Sequence, residues 1–386
     1  MQRAALIWDP ALAAYDLGDA HPLNPLRLTL SVELMDAFGL LGPGEVLAPT
    51  EATEDQLLLV HSSGYIETVR QAGEWGSGFG MAMGLGTEDN PIYPGMHEVA
   101  ALTCGASILG VREVLSGRFD CTFSIAGGMH HAHRSRAAGF SIYNDAAVAI
   151  AVARERDPGL RVLYIDIDAH HGDGVQEAFG GTADVLTVSI HESGLYAFPG
   201  TGFPGEVGYD AGTGFAANVP LPAYATDECF ALAFDEVVVP LARVFRPDLI
   251  VAQLGADAHH SDPQTELGLT IPGYRSLVRG IIGLADELCE GRLAAVGGGG
   301  YHICEVVPLA WSWAMAELGG VTLGDDVPEA WRAGVQLRLP CEPPASMGTY
   351  DSFDSPPERA GRVHVLTAER IRETRQAVFP YHGLTP

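Results

Sequence analysis

Lysine is absent from the 386-residue chain: all 22 of its basic residues are arginine. Cations are scarce overall, because 49 acidic residues leave a formal net charge of −27. Nucleic-acid binding is driven by clustered cations that release counterions from phosphate, so this balance argues against nucleic-acid partners and favours cationic ones. Long apolar runs are also missing. None reaches the roughly 18 residues that a membrane-spanning helix needs, and the N-terminus meets Asp9 and Pro10 almost at once, so neither a membrane segment nor a signal peptide is expected. The six cysteines (Cys104, Cys121, Cys229, Cys289, Cys304 and Cys341) form no C-x-x-C pair and sit mostly among apolar neighbours. That usage predicts buried free thiols and a reducing, cytoplasmic setting.

Core-forming material is abundant: hydrophobic residues make up 47% and charged ones 18%, a composition that folds rather than one that stays disordered. The length suits one large α/β unit with additions. From residue 100 onward, short apolar runs at 121–126, 162–166, 185–190, 248–254 and 293–297 read as buried strands. Amphipathic stretches at 98–116, 144–156, 226–245, 272–290 and 305–318 read as helices between them, the second opening at the good capping residues Asn144 and Asp145. Such alternation predicts a mainly parallel sheet with helices on both faces. Residues 73–95, rich in Gly and Met, are expected to form a long surface loop. From 324 to 362 Pro, Gly and Asp recur without a period, and a last helix is expected after Thr367. The sequence sets no oligomeric state.

The chemistry gathers at strand ends. Val162-Leu163-Tyr164-Ile165-Asp166-Ile167-Asp168-Ala169-His170-His171-Gly172-Asp173 is an apolar strand running into three acids and two histidines. Alternation along an extended chain turns Asp166, Asp168 and His170 the same way, a spacing suited to cation ligation. A self-satisfied salt-bridge network is the bland alternative, but burying several carboxylates without a cation is costly. Asp248 to Asp257 repeats the pattern with a single carboxylate, Asp257, followed by His259, His260 and Asp262. Asp257 completes a three-ligand site with Asp168 and His170, which leaves a position open for water; taken alone it serves equally as a helix N-cap. Gly127-Gly128-Met129-His130-His131 follows a third strand and offers two imidazoles as base and acid, although a tandem histidine by itself is more often an accident. Gly297 to Gly300 lead to Tyr301, whose hydroxyl can serve a developing oxyanion. Gly200–Gly205 and Gly212–Ala217 match the dinucleotide-binding pattern by letter, yet neither joins a clear strand to a helix, and both read as plain turns.

The stretches GGMHHAHRSRAAGFSIYND (Gly127 to Asp145), VLYIDIDAHHGDGVQEAF (Val162 to Phe179), FPGTG, GADAHHSDP and GGGGY closely resemble zinc-dependent histone deacetylases. His21-Pro22-Leu23-Asn24-Pro25-Leu26-Arg27 looks like the N-terminal signature of the same family. The AHHSDP stretch, and VVPLAW after GGGGY, lean toward its bacterial acetoin-utilization deacetylases. The resemblance covers residues 1–320 and implies a single arginase-deacetylase domain with a sheet of about eight strands. Residues 321–386 are expected as a C-terminal extension packing on that domain; the resemblance supplies no counterpart for them.

The resemblance further implies one zinc ion per chain on Asp168, His170 and Asp257, with His130 and His131 as the paired histidines and Tyr301 as the carbonyl-polarising tyrosine. Asp166 and Asp173 match the carboxylates that orient His130 and His131. Gly139, Phe140 and Phe198 resemble the walls of an acyl-lysine channel, and Asp89 its rim acid. A structural potassium ion is implied at Asp166, Asp168, His170 and Ser189. Ser141 and Gln264 depart from the usual residues at the pocket's foot and mouth, which bears on acyl-chain preference. The expected reaction is hydrolysis of the Nε-acetyl amide of lysine in proteins or peptides, acetyl-CoA synthetase among them. Zinc and iron(II) both suit the ligands. An acetylpolyamine or other small-molecule amidohydrolase is the alternative; a binuclear manganese enzyme fits less well, because the second strand offers one acid where two are expected.

Overall fold

The computed structural model describes residues 3–76 and 80–386. Eight runs become strands: β1 (Ala4–Ile7), β2 (Val46–Leu47), β3 (Cys121–Ser124), β4 (Val162–Asp166), β5 (Val185–Glu192), β6 (Ala216–Leu221), β7 (Leu249–Gln253) and β8 (Leu293–Val296). They form one sheet in the order β2-β1-β3-β8-β7-β4-β5-β6, and each neighbouring pair is parallel. All residues of β1 and of β3 to β8 are buried, because helices cover both faces; this is why the strands read as unbroken apolar runs rather than alternating ones.

Alternate residues feed two separate cores. Leu163, Ile165, Ile250 and Ala252 face one, beneath helices Leu26–Ala37, Ile271–Leu288 and Val307–Leu318. Val162, Tyr164, Leu249 and Val251 face the other, beneath Ser63–Trp75, Met96–Leu115 and Asp145–Arg156. Asn144 caps the last of these, its side chain accepting from Ala147 N. The expected arginase-deacetylase architecture is therefore present, with three strands that periodicity did not reveal. β2, two residues long, is too short to show a pattern, and β1, as long as β3 and β8, lies ahead of the strand–helix alternation that begins near residue 100. β6 carries Pro220, tolerated because this strand lies at the sheet's edge.

Other boundaries differ for identifiable reasons. The expected helix at 226–245 is three segments, Asp227–Ala233, a π-turn at Phe234–Val238 and Val239–Phe245. Pro240 lacks the N–H that a continuous helix would need there. The aperiodic reading of 324–362 is corrected by a helix at Glu329–Gln336, and the last helix, Pro357–Val378, starts ten residues before Thr367. Proline at the first helical position needs no N–H partner. Its buried face is a narrow stripe of Val363, Thr367, Ile371, Thr374 and Val378, too sparse to stand out in a polar stretch. Ser63–Trp75 takes the start of the loop expected at 73–95, and residues 77–79 lie outside the described residues.

The free-thiol expectation holds for Cys104, Cys121, Cys229 and Cys289, all buried, but Cys304 and Cys341 are joined as a disulfide. Mutual proximity across 37 residues is a tertiary property that spacing does not reveal. Cysteine usage thus no longer points to one redox compartment. The segment after residue 320 lies on the body of the fold: Trp331 Nε1 donates to Leu30 O, Trp313 Nε1 to Met347 O, and Thr374 Oγ1 to Asn218 O. Among the described residues no helix is long and apolar enough to cross a membrane.

Candidate metal centre and the channel above it

The four strands that precede the chemical motifs, β3, β8, β7 and β4, are consecutive neighbours in the sheet. Their registers are level, Ser124 beside Val296, Val296 beside Gln253 and Gln253 beside Asp166. Parallel strands end on the same edge, so the four following loops converge where ligands bind in open α/β sheets.

Asp168, His170 and Asp257 meet there. One ligand atom from each lies within 4.8 Å of the others, and all three residues are buried. His170 Nδ1 stands 2.9 Å from Asp257 Oδ2 and 3.3 Å from Asp168 Oδ1. The remaining lone pairs are engaged: Asp168 Oδ2 accepts from Gln253 Nε2 at 2.6 Å and Gly299 N at 2.7 Å, and Asp257 Oδ1 accepts from Ala169 N at 2.8 Å. A Cβ on Gly299 would run into the Asp257 carboxylate, so glycine is required where that loop crosses the cluster.

Electrostatics argue for a cation at this point. Burial and the neighbouring Asp168 push Asp257 up to about 6. Burial opposes charge on His170, but Asp168 and Asp257 outweigh it and hold the ring's proton well above the ordinary range. A field that retains a proton between two buried carboxylates also favours a metal ion on the same atoms. One imidazole and two carboxylates suit zinc or a similar divalent ion, with a fourth position left for water.

Beside the cluster lie the paired histidines. His130 Nδ1 is 2.8 Å from Asp166 Oδ2, His131 Nδ1 is 2.8 Å from Asp173 Oδ1, and the two Nε2 atoms face each other at 3.0 Å. Their settings push them apart. Burial disfavours charge on His130, yet Asp166 and Asp168 overcome it and raise the ring to about 9. Burial and the adjacent His130 lower His131 to about 4, against the pull of Asp173. At neutral pH one ring therefore carries a proton and the other has a lone pair to accept one.

Tyr301 closes the opposite side. Its backbone N–H donates to Asp262 Oδ2 at 2.8 Å, and burial followed by Asp257 and Asp168 holds the phenol well above its usual range, so it remains a donor. The cavity above, about 140 Å³, is lined by Asp89, His131, Gly139, Phe140, His170, Phe198, Gln264 and Tyr301. Phe140 stands edge-on to Tyr301, and Phe198 edge-on to His131. Tyr15 fixes the wall, its hydroxyl donating to Phe140 O and accepting from Ile142 N. Exposed Asp89 sits at the mouth with Gln264, while Ser141 lies at the foot, where both departures were expected.

Among the residues that the resemblance implied for potassium, Asp166 and Ser189 are adjacent and engaged with other partners. Asp166 and Ser189 are register partners on β4 and β5, Asp166 Oδ1 accepts from Asp168 N, and the Ser189 hydroxyl pairs with His191 Nδ1 at 2.7 Å. Four residues were given no part in the site from sequence. Asp145 accepts from Gly128 N, Met129 N and Ser107 Oγ, shaping the histidine loop. Gln253 holds Asp168, and Asp262 holds the Tyr301 backbone. Buried Arg27 donates to Gly298 O and Gly300 O, under the glycine loop. The positions of Arg27, Asp145 and Asp262 inside recognisable stretches hinted at them, whereas Gln253 lies outside those stretches.

Comparison with known proteins agrees with this geometry. A histone deacetylase domain matches residues 21–318. The acetoin utilization protein AcuC of Bacillus subtilis is 39% identical over 380 residues, 98% of each chain, and that of Staphylococcus aureus strain MRSA252 is 38% identical over 321 residues, 82% of each. The first alignment runs through the segment after residue 320, which corrects the expectation that it has no counterpart. An HDAC homolog from Aquifex aeolicus overlays with a TM-score of 0.83 at 29% identity, covering 97% of this chain and 100% of that one. An HDAC homolog complexed with SAHA overlays at 0.84, with the same identity and coverage. The chain belongs to the histone deacetylase family and is a deacetylase-type hydrolase close to the acetoin utilization proteins.

Proposed function

We propose that this chain hydrolyses the Nε-acetyl amide of lysine in proteins and peptides, with one zinc ion on Asp168, His170 and Asp257. The observation that carries the reading is a narrow aromatic passage ending between a neutral imidazole, a protonated phenol and a three-ligand cluster. Phe140 and Phe198 clasp the methylene chain of the substrate lysine, and Asp89 accepts from its backbone at the rim.

An ion held by Asp168, His170 and Asp257 would supply Lewis acidity toward the amide carbonyl and toward water. His131 takes the water proton at Nε2, with Asp173 holding the ring's tautomer through Nδ1. Tyr301 donates its hydroxyl hydrogen bond to the oxygen that gains charge as the carbonyl carbon becomes tetrahedral. The C–N bond then breaks. His131 returns its proton to the departing amine, so acetate and free lysine leave and His131 ends as it began. His130, charged and tied to Asp166, keeps positive potential beside the reacting carbon.

A structural potassium ion at Asp166, Asp168, His170 and Ser189 belongs to the same reading. So does the division into a catalytic part, 1–320, and an extension, 321–386, a reading supported by the hydrogen bonds of Trp331 to Leu30 and of Thr374 to Asn218. The test is a panel of acetylated and longer-acylated lysine peptides, acetylated acetyl-CoA synthetase and acetylated polyamines, with and without chelator. Turnover of the peptides that chelation abolishes and zinc restores is expected. Turnover confined to polyamines, or unaffected by chelator, would refute it.

A further inference from the structure

A second convergence of ligands lies outside the centre described above. His259 Nε2 stands 2.9 Å from Asp351 Oδ2, and His260 Nε2 stands 3.0 Å from Asp351 Oδ1. The two rings lie 4.3 Å apart at 31°, so adjacent residues aim the same atom at one carboxylate. One ligand atom from each of the three lies within 4.8 Å of the other two.

We propose that His259, His260 and Asp351 form an auxiliary site for a divalent transition-metal ion, fastening the C-terminal segment to the loop that carries Asp257. Two imidazoles and one carboxylate select zinc, cobalt or iron(II) over magnesium or calcium, which prefer oxygen. At bond lengths of about 2.0–2.2 Å, ligand atoms around a tetrahedral ion are about 3.3–3.6 Å apart. The two imidazoles contact different oxygens of Asp351, at 2.9 and 3.0 Å, so an ion that replaces the two N–H protons is held by both carboxylate oxygens or by one after a small turn of the group.

The surroundings fit ligation. Ser261 N donates to His259 Nδ1 at 3.3 Å and Ser261 Oγ lies 3.0 Å from the same atom, so the ring turns Nε2–H toward Asp351; when an ion takes Nε2 the proton moves to Nδ1, where Ser261 Oγ is placed to accept it. Phe353 stacks on His260 at 19°, fixing the plane of that ring. Ile271 N donates to Asp351 at 3.0 Å and holds the carboxylate in place. The side chains of His260 and Asp351 are 24% and 20% exposed, so an ion can reach them and water can complete the shell. The strongly negative chain favours cations near its surface.

The ion would brace a mechanically important loop. His259 and His260 lie between Asp257 of the catalytic cluster and Asp262, which holds the Tyr301 backbone. Asp351 arrives from a different part of the chain, so metal binding here would join the extension to both.

The test uses the full chain, stripped with chelator and equilibrated with cobalt(II) alone. Wild type is expected to bind about one equivalent more than His260→Gln, which keeps a hydrogen bond to Asp351 but loses the imidazole. Asp351→Asn should lose the same equivalent, and anomalous diffraction at the cobalt edge should place a peak between His260 Nε2 and Asp351. Equal uptake by wild type and both variants, or crystals without that peak, would reduce the cluster to a hydrogen-bonded clamp and overturn the proposal. Failure of the catalytic-ion reading would lower every count alike and leave the wild-type excess intact, so the two ideas fail separately.

Discussion

Replacing Gly139 with alanine is expected to lower kcat about a hundredfold, because the position has no room for a methyl group and its neighbours cannot retreat. The new Cβ would lie 2.7 Å from Phe198 Cε1 and 2.8 Å from His131 Cγ, and closer still to His131 Cδ2. Carbon atoms pack at about 3.5–4.0 Å, so the imidazole must withdraw by about 1 Å. It is pinned by Asp173 at 2.8 Å and faces His130 at 3.0 Å, and that movement breaks the alignment of the proposed base. A misplacement of about 1 Å costs about 10²-fold in rate, or about 2.7 kcal/mol of barrier. The φ of +49° adds about 1–2 kcal/mol of backbone strain for any residue with a Cβ. The assay is steady-state hydrolysis of an acetyl-lysine peptide, with a thermal melt to separate lost activity from lost fold. Truncating Phe198 to alanine as well relieves one contact and leaves His131 displaced, so it should not restore kcat. A Gly139→Ala enzyme within about threefold of wild type would mean that His131 does not need its observed position.

Tyr301→Phe should keep its metal, measured by elemental analysis, and lose about 10²–10³ in kcat, as expected when one oxyanion donor is removed; an undiminished rate would take Tyr301 out of the mechanism. Because His131 sits near 4 and must be neutral to accept a proton, kcat/KM should hold from neutral pH down to about 5 and fall only below it. An acid limb centred near the ordinary histidine value of about 6.5 would assign the base to another group. Asp145→Ala strands the buried N–H groups of Gly128 and Met129, at about 1–3 kcal/mol each. Denaturant unfolding should show a loss of about 2–6 kcal/mol, smaller for Asp145→Asn, which retains one acceptor; no difference from wild type would mean that the histidine loop is held by other contacts.

Much of the candidate site was legible in sequence because of how its residues are placed along the chain. Asp168, His170, Asp257, His130, His131 and Tyr301 each follow an apolar run within a few residues, and a polar residue at the end of a buried strand stands out. The runs were also legible as parallel strands, since burial on both faces leaves them uniformly apolar. Residues that support the site did not stand out. Gln253 looks like the polar end of a strand until its amide is seen on Asp168, and Asp145 looks like a helix cap until its carboxylate is seen on Gly128 and Met129. The helix at Pro357–Val378 escaped because a narrow buried stripe leaves little periodic signal.

Chain order alone determined the inventory: which strand delivers which ligand, the scarcity of cations, and the glycines that let loops cross the cluster. Tertiary structure decided the adjacency. β3, β8, β7 and β4 are separated by long stretches of sequence, and only their hydrogen-bonded order in the sheet brings four loops to one point. The same holds for the opposite proton preferences of His130 and His131 and for the meeting of Asp351 with His259 and His260. Electrostatic shifts and ligation depend on distances of a few ångströms, and those are set when the sheet and its covering helices pack, not by separation along the chain.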